Sequence, residues 1–282
     1  MKSVLFKSLA IFGLISLFFL PDVNFSPVQE FQGQAIYSYK AKMELGRWGA
    51  RMSEAQKKQM QARLQNRLEK TYVLNFNKTE SVFDEEEKLD AISGATDSWG
   101  KNFSQGEQYK NVKDVALVQS QEFYGKQFLV KDSLQKIDWK MGKESKQIGQ
   151  YMCFKATASI PTKELTWYTF SWSDLRRATE TVKDSTGVAK EPEVAMTDVE
   201  AWYTPQIPVS HGPSEYWGLP GLILEISAGN TVMLCSKIVL NPKDKLDIEA
   251  PNKGKEITKN EYQATIQKKM LEMRNNRGRR RS

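Results

Sequence analysis

The chain has 282 residues, 27% of them charged and 11% aromatic, a composition that excludes a disordered or fibrous protein and allows a sizeable buried core. Its formal net charge is +7, but residues 268–282 alone hold seven Lys/Arg against one Glu, and residues 1–26 add Lys2 and Lys7 against Asp22. The stretch from 27 to 267 is therefore neutral, which argues against a nucleic-acid-binding face on the folded body.

The N-terminus, MKSVLFKSLAIFGLISLFFL, places two lysines around the start of an apolar run from Leu9 to Leu20. That length suits the core of a secretory signal and falls short of the roughly 20 residues needed to span a bilayer. The sequence predicts a signal segment over about 1–26, cut between Pro21 and Gln32; a short uncleaved anchor is the alternative. No cysteine lies near it, so the expected location is the periplasm or cell envelope without a lipid anchor.

Alternating apolar and polar residues predict strands over 34–42, 70–78 and 120–134, the last turning at Gly125. KIDWKM–GKESKQ–IGQYMCFKATASI reads as strand, turn and strand, and ELTWYTFSW (164–172) as a further strand rich in β-branched and aromatic residues. The clearest hairpin is LILEIS–AGN–TVMLCSKIVL. A two-residue loop at Gly229–Asn230 sets Cys235 opposite Leu224, facing inward with Leu222 and Ile226. The stretches 93–108 and 178–195 read as loops.

Two helices interrupt this pattern. Residues 53–70 begin at a Ser53 cap and carry a narrow stripe of Met60, Leu64 and Leu68. Near the C-terminus, Thr258 and Glu261 form a capping box, Ile257 and Tyr262 a hydrophobic staple, and Tyr262, Ile266, Met270 and Met273 an apolar stripe. The predicted fold class is mainly β: a curved antiparallel sheet, open barrel or sandwich-like, with one inserted and one C-terminal helix. The domain spans 27–257, with helix and basic tail over 258–282.

Catalytic constellations are scarce. A Ser–His or Cys–His pair needs its base at the right spot, and His211 is the single histidine. No G-x-S-x-G elbow, phosphate-cradling glycine loop or C-x-x-C pair occurs, so no cofactor and no metal is expected. His211 with Glu215 is the nearest approach to a metal-ligand pair. Asp198 and Glu200 share one strand face, and Asp198, Glu215 and Glu225 are the acids that a carboxylate-based hydrolase would bring together. Cys153 and Cys235 either form a disulfide or remain two buried thiols. DEEEKLD (84–90) lacks the spacing of a calcium loop and reads as a solvated face. Basic residues of helix 53–70 and of the tail allow membrane-surface contact as well as plain solvation.

The segment WYTPQIPVSHGPSEYWGLPGLILEI (202–226) holds four of the ten prolines, Pro205, Pro208, Pro213 and Pro220. Each fixes φ near −65° and removes a ladder donor, so the segment runs along an edge or crosses over rather than forming a central strand. Gly212 and Gly221 permit turns or close approach, and Leu219–Pro220 is a candidate cis bond. Two readings stand: a rigid crossover, or a ligand or partner rim built from Trp202, Tyr203, Pro205, Pro208, His211, Tyr216 and Trp217. The hexapeptide Gly218, Leu219, Pro220, Gly221, Leu222 and Ile223, with AWYTPQIPVSHGP before it, FLVKDSLQKIDWKM and KQIGQYMCFKATA upstream and NEYQATIQKKMLEM at the end, resembles the GLPGLI family over roughly 31–273. The matching positions are Trp202, Tyr203, Pro205, Ile207, Pro208, Gly212, Pro213 and Gly218 to Ile223; insertions at 93–108 and 174–196 and the basic tail depart from it.

The resemblance implies an exported, mainly β bacterial envelope protein with no established activity. The expected function is non-catalytic binding of a small apolar or aromatic ligand, or of a protein partner, at that rim. The alternatives are an exported carboxylate-based hydrolase and a scaffold partner of an outer-membrane assembly.

Overall fold

The structure, a computed structural model, describes residues 30–42, 49, 51–86, 103–173, 175 and 194–279. The N-terminal apolar run, most of the 93–108 stretch, nearly all of 174–193 and the end of the basic tail lie outside them. Twelve strands form one open sheet: β1 (Gln32–Ala41), β2 (Glu69–Asn77), β3 (Glu80–Glu85), β4 (Gln108–Asn111), β5 (Ala116–Phe123), β6 (Lys126–Ser133), β7 (Lys140–Ile148), β8 (Tyr151–Pro161), β9 (Met196–Thr204), β10 (Leu222–Ala228), β11 (Thr231–Leu240) and β12 (Lys255–Ile257). The predicted class holds as a mainly β open sheet, not a closed barrel. Helix α1 (Glu54–Leu68) joins β1 to β2, α2 (Thr162–Leu165) follows β8, and α3 (Lys259–Arg279) follows β12.

The strand order is β12-β6-β5-β4-β3-β2-β1-β11-β10-β9-β8-β7. Two antiparallel meanders, β1–β6 and β7–β11, are thus fused along a single seam where β1 pairs with β11. The one departure from an antiparallel sheet is β12, which lies parallel to β6. Both edges are blunted. At one, β12 has only three residues and leads into α3. At the other, β7 carries Lys140, Lys143 and Lys146, and its pairing with β8 is interrupted between Met141 and Ser145. Lysines and irregular pairing are the usual protection of an edge against further strand addition.

GKESKQ was expected to be a turn, yet it forms most of β7. The turn lies at Gly149–Gln150, where Gly149 has φ +59°, and the polarity of GKESKQ reflects an exposed edge strand. ELTWYTFSW is not a strand either. It begins in α2 and continues as an irregular segment whose Trp167, Tyr168, Phe170 and Trp172 pack against Tyr262, Ile266 and Met270 of α3. Burial beside a helix, not sheet pairing, accounts for its aromatic content.

Other expectations fit closely. Ser53 and Gln56 cap α1 reciprocally, and Met60, Leu64 and Leu68 are only half-buried, as a narrow stripe requires. The Glu261 carboxylate accepts from the Thr258 amide (2.9 Å) while the Glu261 amide donates to the Thr258 hydroxyl (3.3 Å). The β5–β6 hairpin turns at Tyr124–Gly125, both at positive φ. Gly229–Asn230 forms the two-residue loop of β10–β11, with Ala228 opposite Thr231.

One register detail differs. A bulge between Ile223 and Glu225 on β10 reverses the alternation, so that Ile226 packs with Ile223, Tyr203 and Ala201 on one face. Leu222, Leu224 and Cys235 pack with Tyr37, Leu74 and Trp202 on the other. Buried Tyr37, at the seam, donates its hydroxyl proton to the Ile223 carbonyl beside this bulge at 2.7 Å. The Leu219–Pro220 bond is trans, as are all peptide bonds among the described residues; Gly218, with φ +92°, takes the turn instead.

Cys153 and Cys235 are free and buried in the same cluster. They stand on β8 and β11, with β9 and β10 between them in the sheet, so the disulfide reading gives way to two core thiols. Burial pushes the Cys153 thiol up to about 11 and the Cys235 thiol up to about 12, which suppresses thiolate reactivity. We expect both to resist an alkylating reagent at neutral pH in native protein and both to react once it is unfolded. Mass measurement without prior reduction checks this; a species that takes up label only after reduction contradicts it.

Candidate functional site

The Pro/aromatic segment between β9 and β10 is anchored on both faces of the sheet. Ile207 and Val209 join the cluster built on Leu74, Phe76 and Leu222, while Tyr216 and Leu219 join the cluster of Ala156, Tyr203 and Ile223. The glycines make this crossing possible. A Cβ on Gly221 would lie 2.2 Å from the Thr204 carbonyl oxygen, and one on Gly212 would lie 2.8 Å from that of Tyr216. Pro205, Pro208 and Pro220, exposed on the outside of the turns, stiffen the path.

The residues considered as a rim do not share one surface. Trp202 and Tyr203, neighbours on β9, point to opposite faces and are both buried. The Trp202 indole donates to Glu200 (2.8 Å), and Lys146 lies 4.3 Å from its ring centre. Tyr216 is buried, and the Trp217 indole donates to the Gln135 carbonyl while the Trp217 carbonyl accepts from the Trp139 indole, both at 2.8 Å. These rings are spent on packing.

A residue that the sequence did not single out holds the segment down. Lys110, fully buried on β4, donates to the carbonyls of Gly212 (2.6 Å), Ser214 (2.5 Å) and Tyr216 (3.4 Å). Burial depresses its pKa to about 7, with Glu215 opposing the shift. Glu215 is itself buried, accepting from Lys259 at the start of α3 (2.5 Å) and from the Trp167 indole (2.6 Å). It is therefore committed to these partners and not to His211. The histidine is wholly buried, its ring 6.3 Å from that of Phe76. Neither ring nitrogen has a hydrogen bond of good geometry, the Asn77 backbone offering only a weak, poorly aligned one. Burial, assisted by Lys110, lowers its pKa to about 3, against a smaller opposing influence of the Asn77 backbone.

Register places Lys110 within a polar stripe on the inner face of the first meander, the side that carries Phe76 and Phe83. Ser81 pairs with Lys110 and Gln108 with Gln119, while Gln121 lies two residues beyond Gln119 on the same side. All five are buried. The stripe divides the apolar cluster around Phe76 and Phe83 from the one around Phe128 and Tyr262. Each buried polar atom left without a partner costs roughly 1–3 kcal/mol, so several together rival the ~5–15 kcal/mol stability of a whole domain.

The acids considered for hydrolysis are held apart. Glu225 pairs with Lys146 (2.8 Å), Glu215 with Lys259, and Asp198 lies on β9 opposite Ser159. What does surround Asp198 is an open groove of about 500 Å³ on the exposed face of β7–β10, opposite the buried Ala156, Ala158 and Val199. Lys140, Thr157, Glu200 and Ser227 form a cross-strand row in it, with Ser159 and Asp198 in the next row. Glu200, held below the usual carboxylate range chiefly by its bond from Lys155, also accepts from Trp202. Among the described residues Asp198 has no hydrogen-bond or ion-pair partner. The alternation of Asp198 with Glu200 was visible in the sequence; the hydroxyls beside it come from strands about 40 and 30 residues away.

Two outcomes follow. Glu215→Gln leaves the Lys259 ammonium buried and unpaired, and we expect a loss of about 3–5 kcal/mol in urea unfolding. His211 is neutral in the fold but protonates near pH 6.5 when unfolded. The unfolded chain thus binds the extra proton as pH falls from about 6.5 to about 3, and stability declines by up to roughly 1.4 kcal/mol per pH unit across that window. His211→Phe, if it folds, flattens the slope by that amount.

A family described as "Protein of unknown function (Porph_ging)" matches residues 139–225, from the approach to β7 through the Pro/aromatic segment into β10. Comparison with curated proteins gives no match. Two solved structures of PNGF-II, in space groups C2 and P21, are similar to this chain at 15% identity with TM-scores of 0.49 and 0.47. Each comparison covers 84% of this chain and 33% of the other, so the chain spans about a third of the length of those proteins.

Proposed function

We propose that this is an exported cell-envelope protein with a binding role and no catalytic centre, in which the Pro/aromatic segment is a structural seal. The ligand surface is the groove on β7–β10, and the ligand class is a small polyhydroxylated molecule. The observation that carries this reading is the set of polar groups around open volume at Asp198: hydroxyls of Thr157, Ser159 and Ser227, one carboxylate without an internal partner, and the Lys140 ammonium. Donors and acceptors alternating over a few ångströms suit a ring of hydroxyls.

The dispersal of Asp198, Glu215 and Glu225 into separate environments weighs against a hydrolase built on them. Export rests on the N-terminal run after Lys2 and Lys7 and on the resemblance to the GLPGLI family; the periplasm or envelope is the location proposed, without a lipid anchor. Neither the burial of Trp202, Tyr203 and Tyr216 nor the two clusters they enter favours an aromatic ligand at the rim. Docking of the basic tail on an outer-membrane assembly is left as the weaker proposal.

A thermal-shift panel of mono- and disaccharides checks the groove. We expect at least one member to raise the melting temperature, and Asp198→Ala with Ser159→Ala to abolish the rise without lowering the melting temperature of the free protein. A rise that survives both substitutions places the ligand elsewhere. Turnover of any panel member that disappears in Asp198→Asn overturns the non-catalytic reading.

A further inference from the structure

Among the described residues, the buried side-chain polar atoms without a protein partner are not scattered. Ser81 Oγ, Gln108 Oε1, Gln119 Nε2 and Gln121 Nε2 belong to the inner-face stripe itself. The others are set around it. Gln105 accepts from Ser214 of the covering segment, leaving its amide nitrogen free. His211 lies tilted beside Phe76, whose register partner is Ser81. Tyr262 packs on Phe128, the register partner of Gln121, and its hydroxyl is free as well. Three of them are neighbours: Gln119 and Gln121 are two residues apart on one face of β5, and the 105–107 stretch lies against Ser120 and Gln121, so the free amide nitrogens of Gln105, Gln119 and Gln121 fall at one end of the stripe.

We propose that this end of the stripe is an internal binding site for a small oxyanion, beneath the 212–216 segment, with the side-chain amides of Gln105, Gln119 and Gln121 as its donors and Lys110, on the neighbouring strand, as its counter-charge. The donor balance favours an anion over bound water. Gln108 already donates to Gln119 at 2.7 Å, so the free groups are dominated by amide N–H donors from Gln105, Gln119 and Gln121. Water supplies donors and acceptors equally, while a carboxylate or phosphate only accepts at its ionised oxygens.

Charge points the same way. Two lysines and one carboxylate are buried here, and Glu215 is matched by Lys259. Lys110 has three carbonyls as its direct partners and only the more distant charge of Glu215, which is itself paired with Lys259, so the group carries one positive charge more than negative, and that is where an anion is best accommodated. The titratable groups facing this region are His211, Glu215 and Tyr216 from the covering segment, Lys259 and Tyr262 from α3, Tyr168 from the segment after α2, and Asp132 from β6, which accepts from the Lys259 amide. His211 is neutral at working pH, and burial holds the three tyrosines protonated. Lys110, depressed to about 7, is the group whose charge an arriving anion changes. Its pKa rises toward normal when the anion binds, so binding near pH 8 draws in a proton and weakens as pH increases.

Calorimetric titration of the full chain with inorganic phosphate and, separately, with acetate tests this and tells phosphate-type from carboxylate-type ligands. At pH 8, in two buffers of different ionisation enthalpy, we expect one site for at least one probe and proton uptake on binding. Gln119→Leu with Gln121→Leu should weaken that site at least tenfold while the thermal unfolding transition is retained; if the pair does not fold, Gln105→Ala should weaken it several-fold. Absence of binding by the native chain, binding without proton uptake, or binding unchanged in these variants would falsify the internal site.

Discussion

Everything in this molecule is arranged about the seam between β1 and β11. Each meander alone would end in a strand with a row of unpaired amides and carbonyls; pairing them, about 200 residues apart in sequence, joins both into one sheet. The seam is irregular as well as long-range. β1 and β11 shift register between Ile36 and Tyr37, β10 carries a bulge nearby, and the Tyr37 hydroxyl is bonded to the Ile223 carbonyl at that bulge. The consequence is geometric: the chain between β9 and β10 leaves the second meander beside the first and lies over β2–β4.

That segment is fastened by electrostatics as much as by apolar packing. Lys110 comes from the first meander, Glu215 from the segment and Lys259 from the closing helix, so three distant parts of the chain meet in one buried group of charges. Burying charge is unfavourable unless nearly every proton and lone pair is used. Here Lys110 uses three carbonyls and Glu215 uses an ammonium and an indole. The close approach of Gly221 to Thr204 belongs to the same constraint, since a side chain there would lift the segment away from Lys110.

The sheet consequently offers two polar regions of different kind. One is closed, on the inner face of β3–β5, under the segment and α3. The other is open, on the exposed face of β7–β10, where the side chains around Asp198 line a groove. The ion pairs around Trp202 separate the open region from the core: Lys155 with Glu200 and Glu144, and Lys146 with Glu225.

Sequence alone determined what depends on local periodicity and end chemistry. The caps at Ser53 and Thr258, the stripe from Tyr262 to Met270, the turns at Gly125 and Gly229 and the rigid passage through four prolines are interactions between residues a few positions apart. Where a segment's character came from a distant neighbour, the same reading failed. GKESKQ is polar because β7 is an edge, 164–172 is aromatic because α3 covers it, and Cys153 is separated from Cys235 by two strands. Lys110 carried no signal at all, since a lysine in QYKN is ordinary until the sheet is assembled. Only the tertiary structure decided that its ammonium is buried and that the Pro/aromatic segment closes over it, because desolvation and cross-strand register are properties of the assembled sheet and not of any stretch of chain.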